Sequence, residues 1–193
     1  MKIFIKTMMG VIVTLAIVTT IYFYLQDGKT RAAEVIPQKP DFEHTNNQQF
    51  LDNVLQCVDY VYWKNKDFEK VNVELLLAQA ALESGWGDSR FAKVGKNLFG
   101  IRTYDLQDPH MLPSNTPKKW GVRVYEHECY SVEHYIKILN NGTSFEDYRK
   151  LREEGIDDPF KLVETLGAYA SDKNYFPKIK SIIKIIRNEY NIK

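Results

Sequence analysis

The chain has 193 residues, 44% of them hydrophobic and 26% charged, with a formal net charge of +1. This is ordinary composition for a globular protein and leaves room for one domain after an N-terminal segment. With Lys2 and Lys6 set aside, 24 of the 26 basic residues stand against 25 acidic ones, so there is no field to attract a nucleic acid, and none is expected as a partner.

From Thr7 to Gln26 no residue is charged. As a helix, a run of 20 residues reaches about 30 Å, the thickness of a bilayer core. A cleavable signal has a shorter apolar core, roughly 7–15 residues. Residues 1–26 are therefore read as one uncleaved transmembrane helix, although Thr30-Arg31-Ala32 offers a weak cleavage site. Lys2 and Lys6 on one flank balance Lys29 and Arg31 on the other, so the positive-inside count is tied. The short N-terminal tail favours translocation of the long C-terminal part. Residues 27–47, with Pro37, Pro40, Asn46 and Asn47, read as a flexible linker. The domain is expected over residues 48–193.

Phe50, Leu51, Val54, Leu55, Val58, Val61 and Tyr62 recur at helical spacing and predict a first amphipathic helix. A second, apolar helix is predicted over Val73–Ser84, capped by Asn72 and stopped by Gly85 and Gly87. Gln79 and Glu83 lie four residues apart, on one face of it. Glu83 falls in the last turn, where burial and the negative end of the helix dipole both disfavour its charge. A carboxyl kept protonated in this way is what a general acid requires. Most glutamates near helix ends are merely solvated, so the pattern alone leaves both readings open.

Between Asn97 and Glu126, Pro109, Pro113, Pro117, Gly100 and Gly121 exclude a long helix, and Gly121-Val-Arg-Val-Tyr125 alternates like a strand. A small, loop-rich β lobe is expected there. Helical spacing returns over 130–139, 145–151 and 160–166, with a turn at Asn141-Gly142. A final helix carries the stripe Ile179, Ile182, Ile183, Ile186 and Tyr190. Cys57 and Cys129 are 72 positions apart and are read as two buried thiols, with a disulfide left open. His127-x-Cys129 with His134 lacks metal-ligand spacing, and neither a metal nor another cofactor is expected. The fold class is mostly α (α+β): a helical domain with a small β lobe, preceded by one transmembrane helix.

Gln79-Ala-Ala-Leu-Glu83-Ser-Gly-Trp-Gly-Asp-Ser-Arg90-Phe, followed by Asn97-Leu-Phe-Gly-Ile101, resembles the glucosaminidase domain of glycoside hydrolase family 73. Tyr169-Ala-Ser-Asp172-Lys-Asn-Tyr175-Phe-Pro-Lys178-Ile resembles the element near the end of those domains. With Glu146-Asp-Tyr-Arg-Lys-Leu-Arg152, the layout is most similar to the bacterial Bax-like proteins. The resemblance covers about residues 48–190. It implies a lysozyme-like fold and cleavage of peptidoglycan after N-acetylglucosamine, by a domain held outside a bacterial inner (cytoplasmic) membrane, in the periplasm or cell wall. Glu83 matches the family's general acid, and Tyr169 the tyrosine lining the cleavage point. Gln79, Trp86, Asn97, Phe99, Trp120, Tyr125 and Asp172 are the expected substrate contacts. The aromatic ones among them also read as core, Trp120 least so because it lies in an irregular loop with lysines.

Family members often carry a second glutamate in the β lobe, and here Lys118-Lys-Trp-Gly121-Val-Arg-Val-Tyr125 holds no acid. Asp105, Asp108 and Glu126 are the nearest candidates. The alternative is assistance by the substrate's own acetamido group. The partners expected are glycan strands and, through the N-terminal helix, the membrane. A muramidase or lytic transglycosylase on the same fold, or a non-catalytic wall-binding protein, are the rival readings.

Overall fold

The computed structural model describes residues 16–23, 36–113, 119–167, 172–190 and 192. The chain divides into two units, residues 1–36 and residues 37–193. In the first, residues 16–23 are helical and exposed. The rest of the Thr7–Gln26 run lies outside the described residues. Among the described residues no helix is long and apolar enough to cross a membrane.

The second unit begins eleven residues before the predicted domain. Residues 37–46 have no regular structure, yet they are packed rather than free: Pro40 is buried and its carbonyl faces His127 Nε2 at 2.9 Å. Phe42 and His44 set their rings against Phe50, with centroids 6.0 and 5.5 Å apart. Lys39 lies over the Tyr130 ring at 4.7 Å. The latter part of the expected linker is thus the outer wrapping of the domain. Its prolines mark irregular backbone, while its aromatic side chains have apolar surface to bury.

Helix α1 spans Asn47–Lys64, and Asn46 caps it by accepting from the Gln49 N–H. Helix α2 spans Val73–Ser84, with Asn72 accepting from the Leu75 N–H at 2.9 Å. Leu75, Leu76, Leu77, Ala78, Gln79, Ala80, Ala81 and Ser84 are all buried. A helix apolar on every side has to be central, and α2 packs along the last helix of the domain. A short helix α3, Arg90–Lys93, leads into the β lobe: β1 Arg102–Thr103, β2 His110–Met111 and β3 Gly121–Arg123. The strands form one antiparallel sheet in the order β1-β3-β2, with Arg102 opposite Val122 and His110 opposite Arg123. Helices α4 (Glu128–Asn141), α5 (Glu146–Glu153), α6 (Pro159–Leu162) and α7 (Tyr175–Glu189) complete the domain. Ile179, Ile183 and Ile186 of α7 are buried, as the predicted stripe requires.

Cys57 and Cys129 are joined in a disulfide, with their Cα atoms 4.7 Å apart. This corrects the reading of two free thiols. α1 and α4 lie side by side, and that long-range pairing has no local signature. The same contact places His127 within 4.8 Å of both sulfurs. It is no metal centre: the sulfurs are bonded to each other, His127 Nδ1 accepts from the Cys129 N–H at 3.1 Å, and Nε2 is engaged by Pro40.

Candidate active site

The site is built on the last turn of α2. Gly85 closes the helix in the left-handed region at φ 59°, and Trp86 and Gly87 continue with φ 57° and 84°. Left-handed backbone is costly for a tryptophan. It is held by two backbone bonds, Trp86 N–H to Ala81 O at 2.8 Å and Ser89 N–H to Ser84 O at 2.8 Å. The Trp86 ring adds to this by packing on Phe50 and Tyr190, with centroids 6.1 and 5.7 Å away. Trp86, an expected substrate contact, thus has both flanks engaged in a structural cluster.

Glu83 is half-buried just before this turn. Burial drives its carboxyl pKa up, opposed by a hydrogen bond from Tyr175 and by the charge of Arg102; the net shift is upward. Gly100, at φ +63°, passes close beside it: a Cβ there would sit 3.5 Å from Glu83 Oε2.

Behind Glu83 runs a directed chain of hydrogen bonds. The Tyr135 hydroxyl donates to Gln79 Oε1. Gln79 Nε2 donates to the Tyr175 oxygen at 2.6 Å. With the Gln79 amide so oriented, the Tyr175 proton is left for Glu83. Gln79, an expected substrate contact, is 0% exposed, and the partner it aims is Tyr175. Phe99 is 1% exposed and stacks on Tyr135 with centroids 4.1 Å apart and planes 11° apart. It too is core, and it fixes the far end of the chain of bonds.

Asn97, also expected at the substrate, is buried. Its Nδ2 donates to Ile101 O and Arg123 O, both at 2.9 Å, and its Oδ1 accepts from the Ile101 N–H at 3.1 Å. This latch ties the 97–101 loop to β3 and so positions Gly100 and Arg102. Tyr125 is half-buried, its hydroxyl 2.8 Å from His134 Nδ1, and burial raises its pKa strongly. Asp172 is exposed, pairs with Lys178 at 2.7 Å and accepts from the Asn174 N–H at 2.8 Å. These bonds hold its carboxyl below the usual range, and its visible work is to organise the entry to α7. Trp120 is half-buried with the Arg102 guanidinium 4.1 Å over its ring. Tyr169 lies outside the described residues.

None of the three candidate second acids is among the groups acting on Glu83. Asp108 is bound by Arg123 at 2.6 Å and by the Thr103 hydroxyl at 2.8 Å, bonds that lower its pKa. Asp105 accepts from the Gln107 N–H in a turn. Glu126 is exposed, and its charge acts on Lys39. Among the described residues the charged or bonding groups acting on Glu83 are Tyr175 and Arg102. Tyr175, Tyr135 and Arg102 were not singled out from the sequence. Tyr175 stands in the second motif, whereas Tyr135 lies 56 positions from Gln79 and nothing local marks it.

Tyr175 is a positioning residue with a testable signature. Its hydroxyl favours the charged form of Glu83, so Tyr175→Phe should raise the Glu83 pKa further. The alkaline limb of the pH–rate profile, which marks loss of the acid's proton, then moves to higher pH. Leaving Gln79 short of an acceptor should also cost about 1–3 kcal/mol of stability. A tyrosine with structural duties alone would show the lower melting temperature and an unmoved limb.

The profile of a family described as mannosyl-glycoprotein endo-beta-N-acetylglucosaminidase matches residues 60–188. The chain is 27% identical over 169 residues to the exo-glucosaminidase LytG of Bacillus subtilis (strain 168), covering 80% of this chain and 57% of that protein. It is 29% identical over 130 residues to the peptidoglycan hydrolase FlgJ of Vibrio parahaemolyticus, covering 58% of this chain and 40% of FlgJ. The chain thus spans about half the length of these curated relatives. The crystal structure of the catalytic domain of the autolysin Auto from Listeria monocytogenes superposes with a TM-score of 0.56 at 27% identity, covering 84% of this chain and 94% of that one. That likeness carries the helical architecture with its small three-stranded sheet. With the family profile spanning about two thirds of its length, the chain belongs to the glucosaminidase family.

Proposed function

We propose that this protein is a peptidoglycan hydrolase, an endo-β-N-acetylglucosaminidase that cleaves the glycan strand after N-acetylglucosamine. The observation that carries the reading is Glu83: a half-buried carboxyl with raised pKa, fixed by Tyr175, at the end of the family's signature helix. The names of LytG and FlgJ, an exo-glucosaminidase and a peptidoglycan hydrolase, support the substrate class.

The proposed reaction needs one protein carboxyl. Glu83 gives its proton to the glycosidic oxygen as the C1–O bond breaks. The oxygen of the substrate's 2-acetamido group bonds to C1 and takes up the developing positive charge. Water then attacks C1, the acetamido oxygen leaves, and the Glu83 carboxylate takes the water's proton. Tyr169, matched by its motif to the tyrosine lining the cleavage point, is assigned to orient the acetamido group or the water. The acetamido route is preferred because Asp108 is paired with Arg123, Asp105 accepts within its own turn, and neither they nor exposed Glu126 act on Glu83.

The test is digestion of purified peptidoglycan by the full chain in detergent, followed by borohydride reduction and identification of the new terminal sugar. N-acetylglucosaminitol is expected. N-acetylmuramitol would indicate a muramidase, an anhydro-sugar a lytic transglycosylase, and no new end a non-catalytic wall binder.

We also propose that Thr7–Gln26 anchors the protein in the cytoplasmic membrane with residues 37–193 outside. The uncharged run supports the anchor, and the Cys57–Cys129 disulfide suits an oxidising compartment. Protease added to the outer face of the membrane should digest the domain. Digestion from the cytoplasmic face alone would reverse the topology.

A further inference from the structure

We propose that Arg102, laid on the face of Trp120 beside Glu83, is a receptor for substrate carboxylates, and that it makes the enzyme prefer anionic glycan strands to uncharged ones. The proposal rests on the glycan-hydrolase reading above.

Arg102 differs from every other described arginine. Arg123 is paired with Asp108, Arg152 with Glu69 and Arg187 with Glu74. Arg149 donates to the Gly142 carbonyl at 2.7 Å and Arg90 to the Leu112 carbonyl at 2.7 Å. Among the described residues Arg102 has neither an ion pair nor a hydrogen-bonded acceptor. Its neighbours are the Trp120 ring, 4.1 Å from the guanidinium carbon, and Glu83, on whose carboxyl its charge acts.

That arrangement leaves the right part of the side chain open. A guanidinium can stack its face on an aromatic ring and still present its N–H fork to a carboxylate in two parallel bonds. Stacking also removes rotamer freedom before a ligand arrives, which reduces the cost of ordering it on binding. Arg102 is exposed at the start of β1, and Thr103 after it is buried. Tyr104, just past the strand, is 73% exposed. Exposed Lys119 adjoins Trp120 and adds charge of the same sign. The wall beside Glu83 is cationic, since among the described residues neither Arg102 nor Lys119 has an ion-paired counter-charge.

The substrate class supplies one. A strand of N-acetylglucosamine alone is uncharged. A peptidoglycan strand carries a lactyl ether on alternate sugars, whose carboxyl is free or joined to a stem peptide bearing carboxylates of its own. Both sources offer the same group to Arg102.

The test is binding, so that it does not depend on turnover. The full chain with Glu83→Gln is titrated by calorimetry with three strands of equal length: peptide-bearing, peptide-stripped with free lactyl carboxylates, and all N-acetylglucosamine. One or both anionic strands should bind about tenfold more tightly than the neutral one, with the ratio falling as salt is raised. Preference for the peptide-bearing strand assigns the stem carboxylates, and preference for the stripped strand the lactyl group. Adding Arg102→Gln should bring the ratio close to one, and Arg102→Lys should restore part of it. Equal binding of all three strands, or a ratio that survives Arg102→Gln, overturns the proposal. Hydrolysis by the unmutated chain is measured in parallel. Absence of cleavage there counts against the hydrolase reading, while the binding ratio still decides the role of Arg102.

Discussion

Glu83→Gln is expected to abolish hydrolysis of peptidoglycan and to leave the fold intact. The carboxamide keeps the size and planarity of the side chain, so the turn at Gly85–Gly87 and the packing of α2 have no reason to change. What disappears is the proton. Among the described residues no other carboxyl acts on this position, since the bonding and charged neighbours of Glu83 are Tyr175 and Arg102. Tyr175 cannot take over as donor: burial and the adjacent Glu83 both push its own pKa up. A positioned general acid contributes roughly 10²- to 10⁴-fold. Here the same group also accepts the water's proton in the second step, so a fall of at least about a thousandfold in kcat is expected. Turnover within tenfold of the unmutated protein, in a variant with unchanged circular dichroism and melting temperature, would remove Glu83 from the chemistry.

The second large effect concerns the scaffold. The Cys57–Cys129 disulfide joins α1 to α4 across 72 positions of chain. A cross-link of that length removes enough freedom from the unfolded chain to stabilise the domain by about 4 kcal/mol. Both cysteines are 0% exposed, so alanine at the two positions replaces buried sulfur with small apolar side chains and exposes no unpaired polar group. The Cys57→Ala/Cys129→Ala protein should therefore melt roughly 10 °C lower. The helices that carry Glu83 and Tyr175 are not themselves cross-linked, so at temperatures where the variant is folded kcat should stay near that of the unmutated protein. An unchanged melting temperature would mean that the unfolded chain gains little freedom when the bond is removed.

The catalytic helix was legible in the sequence because its signals are local. Asn72, the apolar run and Gly85 define start, burial and stop within a dozen positions, and Glu83 falls in the last turn by counting. The α7 stripe was legible for the same reason. The cysteine pairing was not, because it depends on α1 and α4 lying side by side. The wrapping of residues 37–46 was missed because proline-rich irregular backbone looks the same in sequence whether or not Phe42 finds a partner.

The expected substrate contacts show a different limit of the sequence. Gln79, Asn97 and Phe99 stand within the motifs, and motif membership does not separate a residue that meets the ligand from one that holds its neighbour. Gln79 aims Tyr175, Asn97 latches the β lobe, and Phe99 braces Tyr135. Burial separates the two roles, and burial is set by elements far apart in the chain.

The central claim is that the surroundings of Glu83 favour the protonated form of its carboxyl. Carbon-13 NMR of the full chain with labelled glutamate side chains tests it most directly, with the Glu83 resonance identified as the one lost in Glu83→Gln. The account predicts that this carboxyl titrates above the ordinary glutamate value of about 4.3, because burial outweighs the Tyr175 hydrogen bond and the Arg102 charge. Titration at or below that value would mean that Glu83 is an ordinary ionised glutamate at neutral pH, unfit to donate the proton assigned to it.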